Sequence, residues 1–392
     1  MKILLLFISF ALLAGCSSDK SQQAIGKVDI KWSARMANAA MMRCDSLMWA
    51  NDGRKPRWQY DVAMLGQAID KLGYIDTIYS KYHEDYLNYF IQDDDIKNYG
   101  LEEYNLDNVN PAKGLITLYK RTGKEKYLNA INLIVKQLEQ QPKTKSGGYW
   151  HKEKYPWQMW LDGIYMSSPF LTQYANEFNK PAWFDTVAFQ IIHIYSKTYD
   201  PETGLLYHAW DESKSQAWCN PVTGQSKEFW GRAMGWYMMA IVDVLGYLPN
   251  DHPKRDSIIT ILVRTSEALL RIRDPKTGLW FQVLDKGTQE GNYLEASCSS
   301  MFTYAFAKGA KMGYLPVKYQ DIAGKSFQAM VDNFVTIGDD GIPVMTNICG
   351  AAGLGGKPYR DGSYSYYIHE KRIDNDTKGV APFIMAAIEL NL

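Results

Sequence analysis

The sequence predicts an all-α protein, built as an (α/α)6 barrel in which six outer helices surround a ring of six inner helices. Three observations support this fold class. Apolar residues recur at helical spacing along most of the chain, while runs that alternate apolar and polar residues are scarce. Segments that are apolar on nearly every face alternate along the chain with amphipathic segments. The loops between these segments repeat a common pattern, which is typical of folds that grow by repetition.

The chain begins with a segment that is typical of an export signal. A short basic start precedes an apolar run over residues 3–13, which is too short for a membrane-spanning helix of about 20 residues. The run ends in LAGC at 13–16, which resembles a bacterial lipoprotein signal. We therefore expect residues 1–15 to be a signal peptide, Cys16 to be lipidated and residues 16–29 to form a polar tether. The protein would then be exported and lipid-anchored to a bacterial membrane, facing the periplasm or the cell surface. An ordinary signal peptide with an incidental cysteine is the alternative.

The composition argues against several classes of function. The 392 residues carry 43 Lys and Arg against 43 Asp and Glu, and no basic run marks a nucleic-acid surface. CxxC and HExxH motifs are missing from the sequence and its six His are dispersed, so a structural zinc site is not expected. Neither a GxxxxGK[ST] loop nor a dinucleotide-binding GxGxxG unit occurs in the sequence. We therefore expect no nucleic-acid partner and no nucleotide chemistry.

The two classes of helix can be placed along the chain. Three segments have little polar face and are predicted to be inner helices: residues 163–175, 233–245 and 379–390. Two segments are amphipathic and are predicted to lie outside: residues 125–141 and 255–271. Inner helices are expected to start near residues 60, 107, 162, 232, 295 and 378. Because no Pro- or Ser-rich linker follows residue 30, residues 30–392 are predicted to form one domain.

The repeated loops place polar side chains at the starts of the inner helices. A glycine turn and a short aromatic stretch end in a polar side chain three times, at His151, His208 and Gln282. Each is followed by an aromatic residue and, two places later, a charged one: Trp160 and Asp162, Trp230 and Arg232, Tyr293 and Glu295. In an (α/α)6 barrel these helix starts meet at one end, so a shared pocket is predicted. The alternative is that the acids only stabilise the helix dipoles.

The residues of this predicted pocket suit an acidic sugar. Tryptophan rings offer planes for stacking on sugars, and Asp107 and Asp162 offer two carboxylates of the kind used in glycoside chemistry. Arg232 and Lys152 are cations suited to a uronate carboxylate. Each histidine and tryptophan taken singly is as easily explained by hydrogen bonding or packing in the core.

Four segments resemble glycoside hydrolase family 105, the unsaturated rhamnogalacturonyl hydrolases. They are YWHKEKYPWQMWLDGIYM (149–166), WGRAMGW (230–236), YNLDNVNPAKGL (104–115) and the C-terminal PYRDGSYSYYI with NDTKGVAPF (358–383). The resemblance extends from about residue 30 to the C-terminus. It implies an (α/α)6 barrel that removes a 4,5-unsaturated uronate from the non-reducing end of pectin-derived oligosaccharides. The double bond is hydrated, so one carboxylate can suffice.

The resemblance also implies roles for individual residues. Asp162 matches the general acid and base, and Asp107 matches the second acid of the site. The matching substrate contacts are Tyr60, His151, Lys152, His208, Trp230, Arg232 and Trp236. Arg232 or Lys152 is expected to bind the uronate carboxylate. The C-terminal segment offers Asp361 and Tyr364 as further candidates without assigned roles. No cofactor or metal is implied.

Several alternatives stay open at the level of sequence. The unsaturated glucuronyl hydrolases share the fold and chemistry, and the galacturonate or glucuronate origin of the unsaturated sugar is undetermined. A lipid-anchored glycan-binding protein would also be exported and rich in tryptophan. A polysaccharide lyase with a Tyr or His base, or an inverting hydrolase that uses Asp107 and Asp162 as a pair, would suit the same barrel.

Overall fold

Helices account for most of the structure. The computed structural model describes residues 30–44, 56–93 and 95–392. The α-helices of this part are α1 (Trp32–Arg43), α2 (Tyr60–Asp70), α3 (Thr77–Phe90), α4 (Ala112–Thr122), α5 (Glu125–Gln140), α6 (Leu161–Glu177), α7 (Ala182–Thr198), α8 (Gly231–Leu245), α9 (Arg255–Arg271), α10 (Ala296–Lys311), α11 (Lys318–Phe334), α12 (Tyr364–His369) and α13 (Thr377–Leu390). None of these helices combines the length and the apolar character needed to cross a bilayer. The predicted signal peptide, Cys16 and the tether fall in residues 1–29, outside the described residues.

The helices form two concentric rings within the compact unit of residues 31–392. Helices α2, α4, α6, α8, α10 and α13 contact one another in that order, and α13 contacts α2, so the inner ring closes. Each inner helix is paired with an outer one: α2 with α3, α4 with α5, α6 with α7, α8 with α9, α10 with α11, and α13 with α1. The predicted all-α (α/α)6 barrel is thus confirmed.

Burial follows the hydrophobic pattern of each helix. In the inner helix α8, every residue except Asp243 is buried. In the outer helix α5, the buried residues recur every three or four positions, from Tyr127 to Leu138, and form one face. A helix in the outer ring needs only this one apolar stripe, whereas a helix in the inner ring is covered on all sides.

The predicted starts of the inner helices agree with the structure at five of six positions. The helices α2, α6, α8, α10 and α13 begin within one residue of the expected positions. The start predicted at Asp107 is wrong by five residues, because Leu106–Asn108 form a short 3-10 turn and α4 begins at Ala112. Pro111 directly precedes α4, and a residue without a backbone N–H is well tolerated at a helix start.

The few strands of the described residues occur in two antiparallel pairs. Strand β1 (Gln158–Trp160) pairs with β2 (Ala209–Asp211), and β3 (Val335–Ile337) pairs with β4 (Pro343–Met345). The first pair matters for the site, since β1 leads directly into α6 and β2 directly follows His208. In its register Trp160 lies opposite Ala209.

Candidate active site

Asp162 and His208 meet at the N-terminal end of the inner helix α6. The pairing of β1 with β2 continues for one more step, because the N–H of Leu161 donates to the carbonyl of His208 at 3.1 Å. This places Asp162 Oδ2 3.1 Å from His208 Nε2. The two atoms are close but not aligned as a hydrogen bond, and neither has another hydrogen-bond partner among the described residues. Asp162 therefore presents an unpaired carboxylate oxygen to an imidazole nitrogen.

The second ring nitrogen of His208 contacts a tyrosine from the C-terminal part of the chain. His208 Nδ1 and the hydroxyl of Tyr367, in the short helix α12, are 2.7 Å apart. Burial raises the pKa of Tyr367 well above its ordinary value, and the negative charge of Asp162 adds to the rise. The phenol therefore stays protonated and is available as a hydrogen-bond donor to Nδ1.

Asp107 is held by two basic side chains. Lys152 Nζ donates to Asp107 Oδ2 at 2.5 Å, and His151 Nε2 lies 3.5 Å from Asp107 Oδ1. Burial by itself would raise the pKa of Asp107, but Lys152 and His151 outweigh it and hold this pKa below its ordinary value. Burial also lowers the pKa of His151 to about 4, against the opposing effect of Asp107. At neutral pH Asp107 is therefore an ionised carboxylate and His151 a neutral imidazole.

Trp160 joins the surroundings of the two acids. Its ring stacks on His151 with centroids 4.7 Å apart and an interplanar angle of 10°. The edge of the same indole meets His208, with centroids 5.3 Å apart. Trp160 therefore contacts both His151, which lies beside Asp107, and His208, which lies beside Asp162.

Tyr60, at the start of α2, is close enough to these acids to be affected by their charge. Burial raises the pKa of Tyr60 well above its ordinary value, and Asp107 and Asp162 raise it further, while Arg232 lowers it. The Tyr60 ring meets the edge of Trp236 at a centroid distance of 5.8 Å. Residues from α2, α6 and α8 therefore converge at one end of the barrel, together with Asp107 from the turn before α4.

Arg232 is buried and already engaged by protein groups. Its Nε donates to the hydroxyl of Ser297 at 2.8 Å, and its terminal nitrogens donate to the carbonyls of Cys349 and Gly350. Glu295 Oε1 lies 3.7 Å from the guanidinium. Arg232 is only 1% exposed, so it anchors the 349–350 loop to the start of α10. Its expected contact with a uronate carboxylate stays a prediction.

Trp230 and Trp236 lie beneath the site rather than on its surface, since each is 1% exposed. Trp230 packs against His208, with ring centroids 4.7 Å apart, and donates its indole N–H to Gln282. Trp236 stacks on Tyr165 at 5.0 Å. Both tryptophans therefore support residues of the site, and their expected contact with substrate stays a prediction.

Two positions make contacts that the sequence does not predict. The C-terminal segment offers Asp361 and Tyr364 as candidates, and in the structure Tyr367 of the same segment reaches His208. Tyr364 instead donates to the carbonyls of Gln289 and Glu290. The segment's density of tyrosines was a visible signal, but it does not distinguish one ring from the next.

Glu295 is the second such position, because the repeat placed it at a helix start without a role. It accepts the backbone N–H groups of Ser297 and Cys298, and so caps α10. It also accepts the backbone N–H of Cys349 at 2.8 Å, beside Arg232. Glu295 therefore stabilises the start of α10, which is the alternative that the sequence left open for acids at helix starts. It also holds the 349–350 loop that Arg232 anchors.

The arrangement suits acid and base chemistry carried out by side chains. A cavity of about 540 Å³ adjoins this end of α2 and is lined in part by Tyr60, Asp61 and Gly350, but its lining includes neither Asp107 nor Asp162. Among the described residues, no group of three or more His, Cys, Asp or Glu is placed to hold a metal ion. Of the two acids, Asp107 has a lysine partner, while Asp162 has no Lys or Arg within ion-pair distance in the described part of the chain.

Comparison with known families places the barrel among carbohydrate-active proteins. The model of Glycosyl Hydrolase Family 88 matches residues 32–391. A solved glycoside hydrolase from family 105 of C. acetobutylicum ATCC 824 superposes with a TM-score of 0.89. Its identity with this chain is 42%, and the match covers 92% of this chain and 99% of that one.

Two curated proteins extend the comparison. Protein Atu3128 of Agrobacterium fabrum (strain C58 / ATCC 33970) is 37% identical over 232 residues, which are 57% of this chain and 97% of that protein. The unsaturated rhamnogalacturonyl hydrolase YesR of Bacillus subtilis (strain 168) is 28% identical over 239 residues, which are 59% of this chain and 64% of that protein.

Proposed function

We propose a reaction for this chain on the premise that it belongs to the glycoside hydrolases of families 88 and 105, as the matches over nearly its whole length establish. The chain is therefore an enzyme, and the resemblance predicted from its sequence is confirmed. The reaction is removal of a 4,5-unsaturated uronate from the non-reducing end of pectin-derived oligosaccharides. Support for the substrate class comes from the similarity to YesR, whose name is unsaturated rhamnogalacturonyl hydrolase.

One observation supports Asp162 as the acid: of Asp107 and Asp162, only Asp162 has no Lys or Arg partner among the described residues. Lys152 and His151 stabilise the ionised form of Asp107, so Asp107 is poorly suited to donate a proton. Asp162 is 14% exposed in its side chain and can be reached from the site. Asp162 therefore donates the proton, and Asp107 orients the substrate or the water.

The reaction then needs a single acid and base. The carboxyl O–H of Asp162 gives its proton to C4 of the unsaturated sugar, and positive charge develops at C5, shared with the ring oxygen. A water adds its oxygen to C5 and returns a proton to Asp162. The product is a hemiketal, which opens and releases the remaining oligosaccharide. Because no attack on the anomeric carbon occurs, a second carboxylate as nucleophile is not required.

His208 stabilises the carboxylate that Asp162 becomes after it has lost its proton. When the Tyr367 hydroxyl donates to Nδ1, the imidazole proton resides on Nε2, which faces Asp162 Oδ2 at 3.1 Å. That N–H needs only a small reorientation to hydrogen-bond the anion. Tyr367 acts through His208 and is therefore a positioning residue.

Lys152 is the better candidate for the uronate carboxylate. Its ammonium group has three N–H donors, and its hydrogen bond to Asp107 uses one of them. The guanidinium of Arg232 is directed at four protein groups and is 1% exposed. Binding of the carboxylate by Lys152 would also place the substrate beside Asp107.

The test is near-ultraviolet absorbance during incubation with an unsaturated rhamnogalacturonan disaccharide. The conjugated double bond absorbs, and hydration removes it. Wild type should lower the absorbance, whereas Asp162→Asn should abolish turnover and largely retain binding. Asp332→Asn is the matched control, because Asp332 is exposed and accepts a hydrogen bond from Gln328 of its own outer helix α11, and it should behave as wild type.

Other outcomes would contradict parts of the proposal. If no unsaturated substrate loses absorbance, whether derived from pectin or from glycosaminoglycans, hydration is refuted. Turnover of glycosaminoglycan-derived substrates alone would indicate an unsaturated glucuronyl hydrolase. A rise in absorbance on intact polysaccharide would indicate a lyase, and wild-type turnover by Asp162→Asn would refute the role of that residue.

Export and lipid anchoring form a separate proposal that depends on the sequence alone. The apolar run at 3–13 and the LAGC motif at 13–16 support cleavage before Cys16 and its acylation. The protein should partition with bacterial membranes after expression, and Cys16→Ser should release it. Recovery of Cys16→Ser in the membrane fraction at the wild-type level would refute the anchor.

A further inference from the structure

A second cavity, of about 550 Å³, lies one aromatic layer away from the candidate active site. Its lining includes three basic side chains, Lys154, Lys357 and Arg360, and contains no Asp or Glu. Lys154 and Lys357 are exposed, and neither has an ion-pair partner within the described residues. A concave surface with three cations and no acid favours a negatively charged ligand.

Tyr155 connects this cavity to the catalytic residues. Its ring stacks on Trp160, with centroids 5.1 Å apart and an interplanar angle of 16°. Trp160 also contacts His151 and His208, with ring centroids 4.7 and 5.3 Å apart. Two ring contacts, Tyr155 with Trp160 and Trp160 with His208, therefore connect the lining of the cavity to the catalytic residues.

Arg360 is fixed in the wall of the cavity. Its guanidinium donates to the hydroxyl of Tyr155 at 2.9 Å and to the carbonyls of Leu354 and Gly355 at 3.0 and 2.9 Å. These bonds hold the 354–360 loop against the layer that contains Trp160. A cation held in place in this way is preorganised for an anion, since little side-chain entropy remains to be lost on binding.

A buried donor without a partner lies behind the same loop. Trp218 is fully buried, and its indole N–H has no hydrogen-bond partner among the described residues. Its nitrogen lies 3.7 Å from the position that a Cβ on Gly355 would take. Gly355 also has a φ of +63°, where other residues are strained, so a side chain at this position is disfavoured. Trp218 does not belong to the cavity lining, and the neutral hydrogen-bond donors of the lining are the side-chain amides of Gln158 and Gln216.

We propose that this cavity binds a second uronate of the same oligosaccharide, located beyond the bond that is broken. The inference rests on the proposed function, because it takes the unsaturated uronate to lie at Asp162. The ligand class is an acidic sugar within the released part of the substrate, and Lys154, Lys357 and Arg360 recognise its carboxylate. The enzyme would then prefer acidic oligosaccharides to a disaccharide with one carboxylate.

The experiment compares three unsaturated substrates: a disaccharide, a tetrasaccharide with an internal uronate, and the same tetrasaccharide with that uronate methyl-esterified. Wild type should show a kcat/KM about two- to fivefold higher on the acidic tetrasaccharide than on its ester, the range expected for partly exposed ion pairs. The preference should decrease as salt is added. The esterified substrate separates the effect of charge from that of length.

Lys154→Met combined with Lys357→Met removes two cations and keeps the bonds of Arg360 to the loop. In this double variant the ratio of kcat/KM between acidic and esterified tetrasaccharide should fall towards one. Lys227→Met is the control, because Lys227 is an exposed lysine that lies outside the cavity lining. It is still in the same region of the surface, since its charge lowers the pKa of Asp361. It should keep the wild-type ratio.

The two proposals fail in different ways. If wild type does not turn over any of the three substrates, the proposed function fails. If wild type turns over the disaccharide but shows no preference for the acidic tetrasaccharide, the second binding site is refuted. A preference that survives in the double variant would also refute it, because the lysines would then not recognise the charge.

Discussion

Replacement of Tyr367 by phenylalanine tests the link between the C-terminal helix α12 and the catalytic acid. The change removes one hydroxyl, which lies 2.7 Å from His208 Nδ1, and leaves the ring in its buried position. With its donor gone, Nδ1 has no partner and can itself carry the imidazole proton. Nε2 would then present a lone pair, rather than an N–H, to Asp162.

The magnitude follows from the cost of leaving a buried polar atom unpaired. Such an atom costs about 1–3 kcal/mol. If this cost falls on the transition state, where Asp162 becomes a carboxylate, kcat falls by about fivefold to about 150-fold. KM should change little, because the substitution keeps the buried ring and removes only the hydroxyl that contacts His208, and it leaves Lys152, the residue proposed to bind the uronate carboxylate, unchanged.

The assay is the loss of absorbance of an unsaturated disaccharide at saturating concentration. Tyr366→Phe is the matched control, since Tyr366 precedes Tyr367 in α12 and its hydroxyl contacts the backbone N–H of Gly353 and the carboxylate of Glu370 instead of His208. Both variants lose one tyrosine hydroxyl, but only Tyr367→Phe should lower kcat. If Tyr367→Phe loses thermal stability while its kcat stays within twofold of wild type, the positioning role is refuted.

Three further predictions concern buried charges. Asp107→Asn should lower the free energy of unfolding by about 1.5–3 kcal/mol, because it removes the charged acceptor of Lys152. An unchanged midpoint of urea unfolding would contradict this prediction. His151, with its pKa lowered to about 4 by burial, should make the native state less stable as pH falls from about 6.5 to about 4, since only the unfolded chain takes up the proton there. Thermal unfolding of His151→Gln across that range should show a weaker decline, and an equal one would refute the assignment. Glu295→Ala should cost about 3–5 kcal/mol, because it leaves the buried Arg232 without its carboxylate, and calorimetry against the exposed Glu290→Ala provides the comparison.

The sequence by itself determined the barrel and most of the helix positions. Helical periodicity separated inner from outer helices, because a helix in the inner ring must be apolar all round and one in the outer ring needs a single stripe. The repeated loop pattern likewise predicted polar side chains at the helix starts, including Asp162 and Arg232. The start near Asp107 was misplaced, because its signal came from a 3-10 turn and Pro111 moved the helix further along the chain.

Only the tertiary structure decided which of these residues touch one another. His208 and Tyr367 are 159 residues apart, and Arg232 and Cys349 are 117 apart, so no local period connects them. The pairing of Lys152 with Asp107, which leaves Asp162 as the acid without a cation, likewise spans 45 residues. Chemical roles follow from such contacts, because burial and neighbouring charge determine which carboxylate is ionised. The sequence predicts that these side chains reach the same end of the barrel, and the closure of the ring determines the neighbours of each.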